Sequence, residues 1–351
     1  MVKFVVKRLL YGFLVILGVV VAVFLIFHAL PGDPVTMMAG QRTDVSTKEA
    51  ILKDLGLDQP LGVQLVHYMN DLSPISRHEN TEDNAKKYDY QVLAKFSQNV
   101  WVIKWPYMRR SFQSNKKVTE IIWEHIEGTF WLAFASMVFA TIIAIPMGVI
   151  AAIKQNSWLD HSLISLSVIG ISAPSFVAAI LMAMLFGYYL AEYTGLNITG
   201  QLWVTDSIYG RHLELKNLIL PTITLGLRPL AIIVQLTRSS MLEVLSQDYI
   251  RTARAKGLTK FTIITKHALK NALNPVITAV SGWLASLMAG AFFIEYIFNW
   301  KGIGLVTIKA VENLDFPVVM GSTLFIAVIF ILINLLVDIL YAAIDPRVRL
   351  S

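Results

Sequence analysis

Side chains able to carry covalent chemistry are sparse and scattered in this 351-residue chain. Cysteine is absent, which excludes disulfides, thiolate metal sites and cysteine nucleophiles together. No G-x-x-x-x-G-K-S/T run is present to cradle a phosphate, neither H-E-x-x-H nor G-x-S-x-G occurs, and the seven histidines are scattered. The expectation is a chain with no catalytic site, no metal and no cofactor of its own. Charge inside the apolar runs is rarer still. Arg228, in TLGLRPL, is the clearest case, with Asp338 near the last apolar end, and such a charge is costly enough to invite a functional role. A carrier driven by protons or sodium usually needs several buried carboxylates, so energy for any transport is expected to come from outside this chain.

The densest chemistry is basic. Gln247 to Pro275, QDYIRTARAKGLTKFTIITKHALKNALNP, lies between two long apolar runs. Ser246 can cap a helix with Asp248 in its first turn, followed by Arg251, Arg254 and Lys256. Gly257 is suited to end that helix in the left-handed conformation. A second start falls at Thr259, after which Phe261, Ile264, Ala268 and Leu269 recur at helical spacing. A helix, a glycine corner and a helix are therefore predicted at a membrane surface. A solvated basic loop would account for the charges alone.

The elements that position these residues follow from composition. Apolar residues make up 55% of the chain, charged residues only 15%, and mean hydropathy is +0.59, which marks a polytopic membrane protein. The net charge of +6 needs no nucleic-acid partner, because basic cytoplasmic loops reach the same value. Lys3, Lys7 and Arg8 precede an apolar run from Leu9 to Leu30, long enough to cross a bilayer and read as an uncleaved first span ending at PGDP. A polar segment over about 35–125 follows, with a helical stretch near Thr47 to Leu55. Its part from Ser73 to Lys117 is either a small inserted subdomain or a partly mobile loop, with Trp101, Trp105 and Tyr107 read as interfacial aromatics. Further spans are expected at Phe130–Ile153, Ser162–Tyr189 (interrupted at SAPSF by Pro174), Leu218–Leu236, Val276–Ile297 and Gly321–Ile344. Six spans place both termini on the cytoplasmic side, and the excess of Lys and Arg on that side agrees.

Small residues recur four apart in three rows: Ala140, Ala144, Gly148 and Ala152; Ser175, Ala179, Ala183 and Gly187; and Gly282, Ser286 and Gly290 beside Ser281, Ala285 and Ala289. Such rows let helices approach closely, within the chain or against a partner.

DYIRTARAKGL followed by HALKNALNP resembles the EAA loop of importer permeases of the ATP-binding cassette superfamily, in the form found in the oligopeptide, dipeptide and nickel permease family. PGDP, LGLDQPL, SAPSF, LPTITLGL, TRSSMLEVL, IEYIFNWKGIG and DILYAAIDPRVR look like markers of that family in the expected order. They cover nearly all the chain except about 73–117. Arg251, Thr252 and Ala253 stand where the general pattern has Glu-Ala-Ala, and Lys301 stands where proline is usual before Gly302.

The resemblance implies an all-α polytopic fold of six transmembrane helices with an enlarged outer loop. It divides the chain into a cytoplasmic N-terminus and first helix (1–30), an outer segment (31–127), a five-helix core (128–344) with a coupling loop at 241–275, and a cytoplasmic tail (345–351). It implies that Asp248, Tyr249, Arg251, Thr252, Ala253, Arg254, Lys256, Gly257, His267 and Asn271 form the surface that couples to an ATPase. Arg228, Ser172, Pro174 and Ser175 would line the path. The implied partners are a second homologous permease, two P-loop ATPases that bind ATP and magnesium, an external substrate-binding lipoprotein, the bilayer and a peptide. Nickel chelates or another small solute remain open as cargo, and an ion-coupled secondary transporter as a different class.

Overall fold

The computed structural model describes residues 2–29, 56, 58–96, 99–206, 210–289 and 291–344. The PGDP string, the expected helix near Thr47 to Leu55, Gly290 and the 345–351 tail lie outside the described residues. In chain order the elements are α1 (Val2–Ala29), α2 (Leu61–Leu72), β1 (Ile75–Glu79), α3 (Glu82–Tyr88), β2 (Gln91–Phe96), β3 (Asn99–Ile103), α4 (Val118–Ile153), α5 (Trp158–Ser172) and α6 (Ser175–Met184). A π turn over Leu185–Tyr189 extends α6, and α7 (Ala191–Thr194), the hairpin β4 (Trp203–Asp206) and β5 (Gly210–Leu213) and α8 (Lys216–Leu245) follow. The chain then forms α9 (Asp248–Ala255) and α10 (Lys260–Thr262), which runs through a π turn over Ile263–Ala268 into α11 (Leu269–Met288). It closes with α12 (Phe292–Ile297), α13 (Ile303–Glu312) and α14 (Phe316–Ile344).

Among the described residues four helices, α1, α4, α8 and α14, are long and apolar enough to cross a membrane. The α5–α6 pair, bent by 104° at Ala173 and Pro174, makes a fifth if taken as one broken span. The sequence expectation of an interruption at SAPSF is met: Pro174 cannot continue α5 and instead opens α6 with φ −55°. In place of a continuous span over Val276–Ile297 the structure has α11, a break at Ala289 and Ala291, and α12. Ala291 leaves the helical region (φ −89°, ψ 52°), and the new start lets Glu295 point inward. Several helices exceed their apolar stretches, since α4 begins at Val118 and α14 at Phe316; hydropathy locates the greasy part and not the helix ends.

One compact unit is drawn from Val6–Glu124 and Val306–Val328. Phe24 and Phe27 of α1, Tyr68 of α2, and Phe316, Met320 and Leu324 of α14 are buried together in it. Within the 73–117 stretch three strands form an antiparallel sheet in the order β1-β3-β2. Its alternation of exposed and buried residues places Val100 and Val102 of β3 and Ser76 and His78 of β1 inside. Trp105 is 85% exposed, whereas Tyr107 packs edge-on against Tyr88 with ring centroids 5.0 Å apart. The Tyr88 hydroxyl donates to Asp71 at 2.8 Å, and burial raises the Asp71 carboxyl above its ordinary range. His78 lies 4.1 Å from the Tyr88 ring and 2.9 Å from the Ser76 hydroxyl. Burial, reinforced by Lys104 and Lys87, lowers its pKa to about 4.

The other unit centres on His125–Leu305. Ala133, Ala140 and Ala144 of α4 meet Ile233 and Val234 of α8 and Val276 of α11 in its core. A Cβ placed at Gly148 would lie 2.6 Å from the Thr237 Cβ, so the first small row seats α4 directly on α8. In the second row Ala179 and Ala183 are buried against Leu220 and Ile294. The third divides: Ala285 faces the core, while Gly282 and Ser286 are exposed.

His78 carries a prediction. Its folded-state pKa lies below the unfolded value near 6.5, so between these the unfolded chain binds more protons and folding weakens as pH falls from about 6.5 towards 4, by up to about 3 kcal/mol. Protection of the Val100 and Val102 amides, their exchange measured against the intrinsic rate at each pH, is expected to fall over that window in the native chain. In His78→Gln this loss of stability towards low pH should be removed.

Candidate functional site

The basic stretch folds as two short helices around a corner. The N-cap position of α9 is Gln247 (φ −69°, ψ 150°) and not a serine; the Ser246 hydroxyl donates to the Glu243 carbonyl at 2.7 Å, so the expected cap at Ser246 is corrected. Ser246 is still near-helical there and cannot reach forward. At the other end Leu258 N–H donates to Ala253 O at 3.3 Å and Gly257 N–H to Arg254 O at 3.0 Å, a complete Schellman motif. Gly257 has φ +75°, as its place in the sequence predicted. Thr259 caps the next helix, accepting from Thr262 N–H at 3.3 Å.

Packing seats this corner on the end of the bundle. Ile250 and Ala253 are buried with Met241, Ala152, Ile263, Ala268 and Ala272. The expected face of Phe261, Ile264, Ala268 and Leu269 is only partly observed, because Phe261 is 76% exposed and Ile263 takes the inward place. The π turn is the reason: an extra residue in the turn brings Ile263 and Ala268, five apart, to one face. Of the candidate coupling residues, Asp248, Tyr249, Arg251, Thr252, Arg254, Lys256, Gly257 and Asn271 are exposed, His267 is half-buried and Ala253 is a core residue. Asn271 donates to the Tyr249 hydroxyl at 2.8 Å, which joins α9 to α11. Arg251 and Asp248, 3.3 Å apart at the surface, form a pair worth little in water.

A second constellation surrounds Arg228. A cavity of about 190 Å³ is bounded by Gly170 and Ala173 at the end of α5, Ser175 of α6, Arg228 of α8, and Trp283 and Ser286 of α11. Two of the four candidate path residues, Arg228 and Ser175, meet there. Pro174 forms the exposed corner beside them, and the exposed Ser172 turns its hydroxyl back to the Val168 carbonyl at 3.0 Å. A cation, two hydroxyls and an indole suit a ligand with a carboxylate and carbonyl groups.

The same region holds an arrangement that the sequence reading did not single out. The fully buried Glu295 carboxylate accepts from the Thr129 hydroxyl at 2.8 Å and from Leu305 N–H at 3.0 Å. Thr129 in turn accepts from Ile303 N–H at 2.8 Å, and Trp300 Nε1 donates to Gly128 O at 2.8 Å. The turn at Lys301 closes without proline, helped by Asn299 at φ +47°. A lone glutamate within an apolar string, IEYIF, was the available signal.

Comparison with known proteins places the whole chain in a family. The family profile described as binding-protein-dependent transport system inner membrane component matches residues 144–350, and the profile of its N-terminal part matches residues 1–133. The dipeptide transport system permease protein DppB of Escherichia coli (strain K12) is 36% identical over 367 residues, covering 99% of both chains. DppB of Alkalihalophilus pseudofirmus is 36% identical over 364 residues, covering 99% of this chain and all of its own. The glutathione transport system permease protein GsiC of Escherichia coli (strain K12) is 35% identical over 349 residues, with 99% of each covered. An inward-facing structure of the MetNI methionine ABC transporter superposes on 64% of this chain and 97% of its own at a TM-score of 0.52 and 19% identity, a likeness of fold.

Proposed function

The chain belongs to the binding-protein-dependent transport system inner membrane component family, and from that membership we propose that it is the membrane-spanning permease subunit of an ATP-driven importer that carries short peptides into the cell. The observation that carries this reading is the capped corner at Gly257, built on a chain with no nucleotide motif of its own. The partners are a second homologous permease, two P-loop ATPases and an external peptide-binding protein. Full-length likeness to dipeptide and glutathione permeases supports peptides as cargo.

In this mechanism the exposed face of α9 and the Gly257 corner sit in a groove on an ATPase. ATP-driven closure of the two ATPases displaces the corner, and the spans rock between outward and inward access. Peptide passes along the face bearing Ser175, Arg228 and Ser286, where Arg228 receives the peptide carboxylate.

Both termini are cytoplasmic in this reading, and residues 31–127 are outside. In this cysteine-free chain Trp105→Cys, 85% exposed in the native protein, should react with an impermeant maleimide on intact cells, and Phe261→Cys only after permeabilisation. The reverse pattern would overturn the orientation.

Arg228→Gln should lower peptide uptake about tenfold or more, the loss of one charge-assisted hydrogen bond, while the assembled complex survives. Unchanged uptake in reconstituted vesicles would remove Arg228 from the path.

A side chain at Gly257 costs about 1 kcal/mol at positive φ. Gly257→Ala should weaken coupling, and Gly257→Asp, which brings a larger side chain and a charge of the opposite sign to the basic face, should nearly abolish it. Assembly and receptor docking persist, while peptide no longer stimulates ATP hydrolysis. Normal stimulation and uptake by purified Gly257→Asp complexes would return the stretch to a basic loop.

A further inference from the structure

At the end of α5 remote from the Pro174 break, Asp160 is 2% exposed and accepts two bonds from Arg238 of α8: Nε to Oδ1 at 2.6 Å and Nη2 to Oδ2 at 2.7 Å. Oδ2 also accepts from Asn156 N–H at 2.9 Å, and Asn156 itself stands in the left-handed region at φ +61°. Ser157 caps α5, accepting from Asp160 N–H at 3.3 Å. One carboxylate thus ties the turn between α4 and α5, and α5 itself, to α8.

Arg238 lies in the last two turns of α8, which ends at Leu245, and α9 begins at Asp248. At the same end Ala152 of α4 packs in the cluster that seats α9 and the π turn. Near the cavity α5 and α8 touch again: a Cβ at Gly170 would lie 3.1 Å from the Leu227 carbonyl oxygen. Gly170 and Arg228 both line the cavity. So α5 is fastened to α8 at two places, beside the coupling corner and beside the cavity. A paired, bidentate contact of this kind fixes orientation as well as distance between the two helices.

We infer that Asp160 and Arg238 are positioning residues for transport, which join α8 and α5 into one lever so that displacement of the α9 corner reaches the α5–α6 break at the cavity wall. The inference rests on the coupling role proposed above, and deepens it by naming how the corner's motion is carried.

The test uses the whole complex, with its second permease, both ATPases and the peptide-loaded receptor, in vesicles. Asp160→Asn and Arg238→Gln should assemble and hydrolyse ATP at the native basal rate. Peptide stimulation of hydrolysis and uptake should fall about tenfold, with the peptide concentration for half-maximal uptake unchanged. The double variant should be no worse than either single one, and Arg238→Lys, which keeps the charge but loses the fork, should be intermediate. Full stimulation in Asp160→Asn or Arg238→Lys, or losses that only track the amount of assembled complex, would overturn the inference. Gly257→Asp measured alongside separates the two levels. If it uncouples while Asp160→Asn does not, the lever fails alone; if it transports normally, the coupling role fails.

Discussion

Close approach between helices is the constraint on which the rest of this structure depends. In hydrocarbon the solvent is as apolar as a leucine side chain, so burying leucine against leucine contributes little to association and contact area at short range must do more. Ala140, Ala144 and Gly148 on α4 let α8 come within backbone reach, and α8 then serves as the wall against which α5, α6 and α11 are also laid. Among the described residues Pro146, Pro221, Pro229 and Pro275 sit inside helices beyond the first turn, where neighbouring helices and hydroxyls can satisfy the carbonyls they free.

A buried carboxyl group is tolerated in such a bundle only when it is hydrogen-bonded. Glu295 meets that condition by taking the Thr129 hydroxyl and an N–H at the start of α13, where the unpaired amides of a helix N-terminus favour a carboxylate. The demand explains the local chain path. A continuous helix through 276–297 would hold Glu295 in register with α11, whereas the break at Ala291 frees α12 to aim it inward.

The two constellations share α8. Arg228 stands by the cavity, Arg238 two to three turns later grips Asp160, and the helix then delivers the chain to the Gly257 corner. A corner closed by a Schellman motif, pinned beneath by Ile250 and Ala253 and tied across by Tyr249 and Asn271, is fastened to the bundle at several points. Phe261, just before the π turn that buries Ile263, stays exposed.

What the sequence determined by itself is whatever depends on near neighbours. The apolar runs, the break before Pro174, the left-handed Gly257 and the cap at Thr259 are consequences of hydropathy, a missing N–H, a missing Cβ and a hydroxyl three residues from an amide. The resemblance at the coupling stretch was legible for the same reason, since it is one contiguous string. The structure alone decided the rest. The sheet over 75–103 needs β1 to pair with a strand more than twenty residues on, and its short alternations, ISRHE and NVWVI, carry no partner label. The π turn changed which residues of 261–269 face inward, because one extra residue in a turn rotates everything after it while leaving composition untouched. Asp160 with Arg238, and Thr129 with Glu295, lie 78 and 166 residues apart. Single charged or hydroxylic residues in apolar strings announce that a partner is needed; which partner is settled only when packed helices bring two such residues within 3 Å.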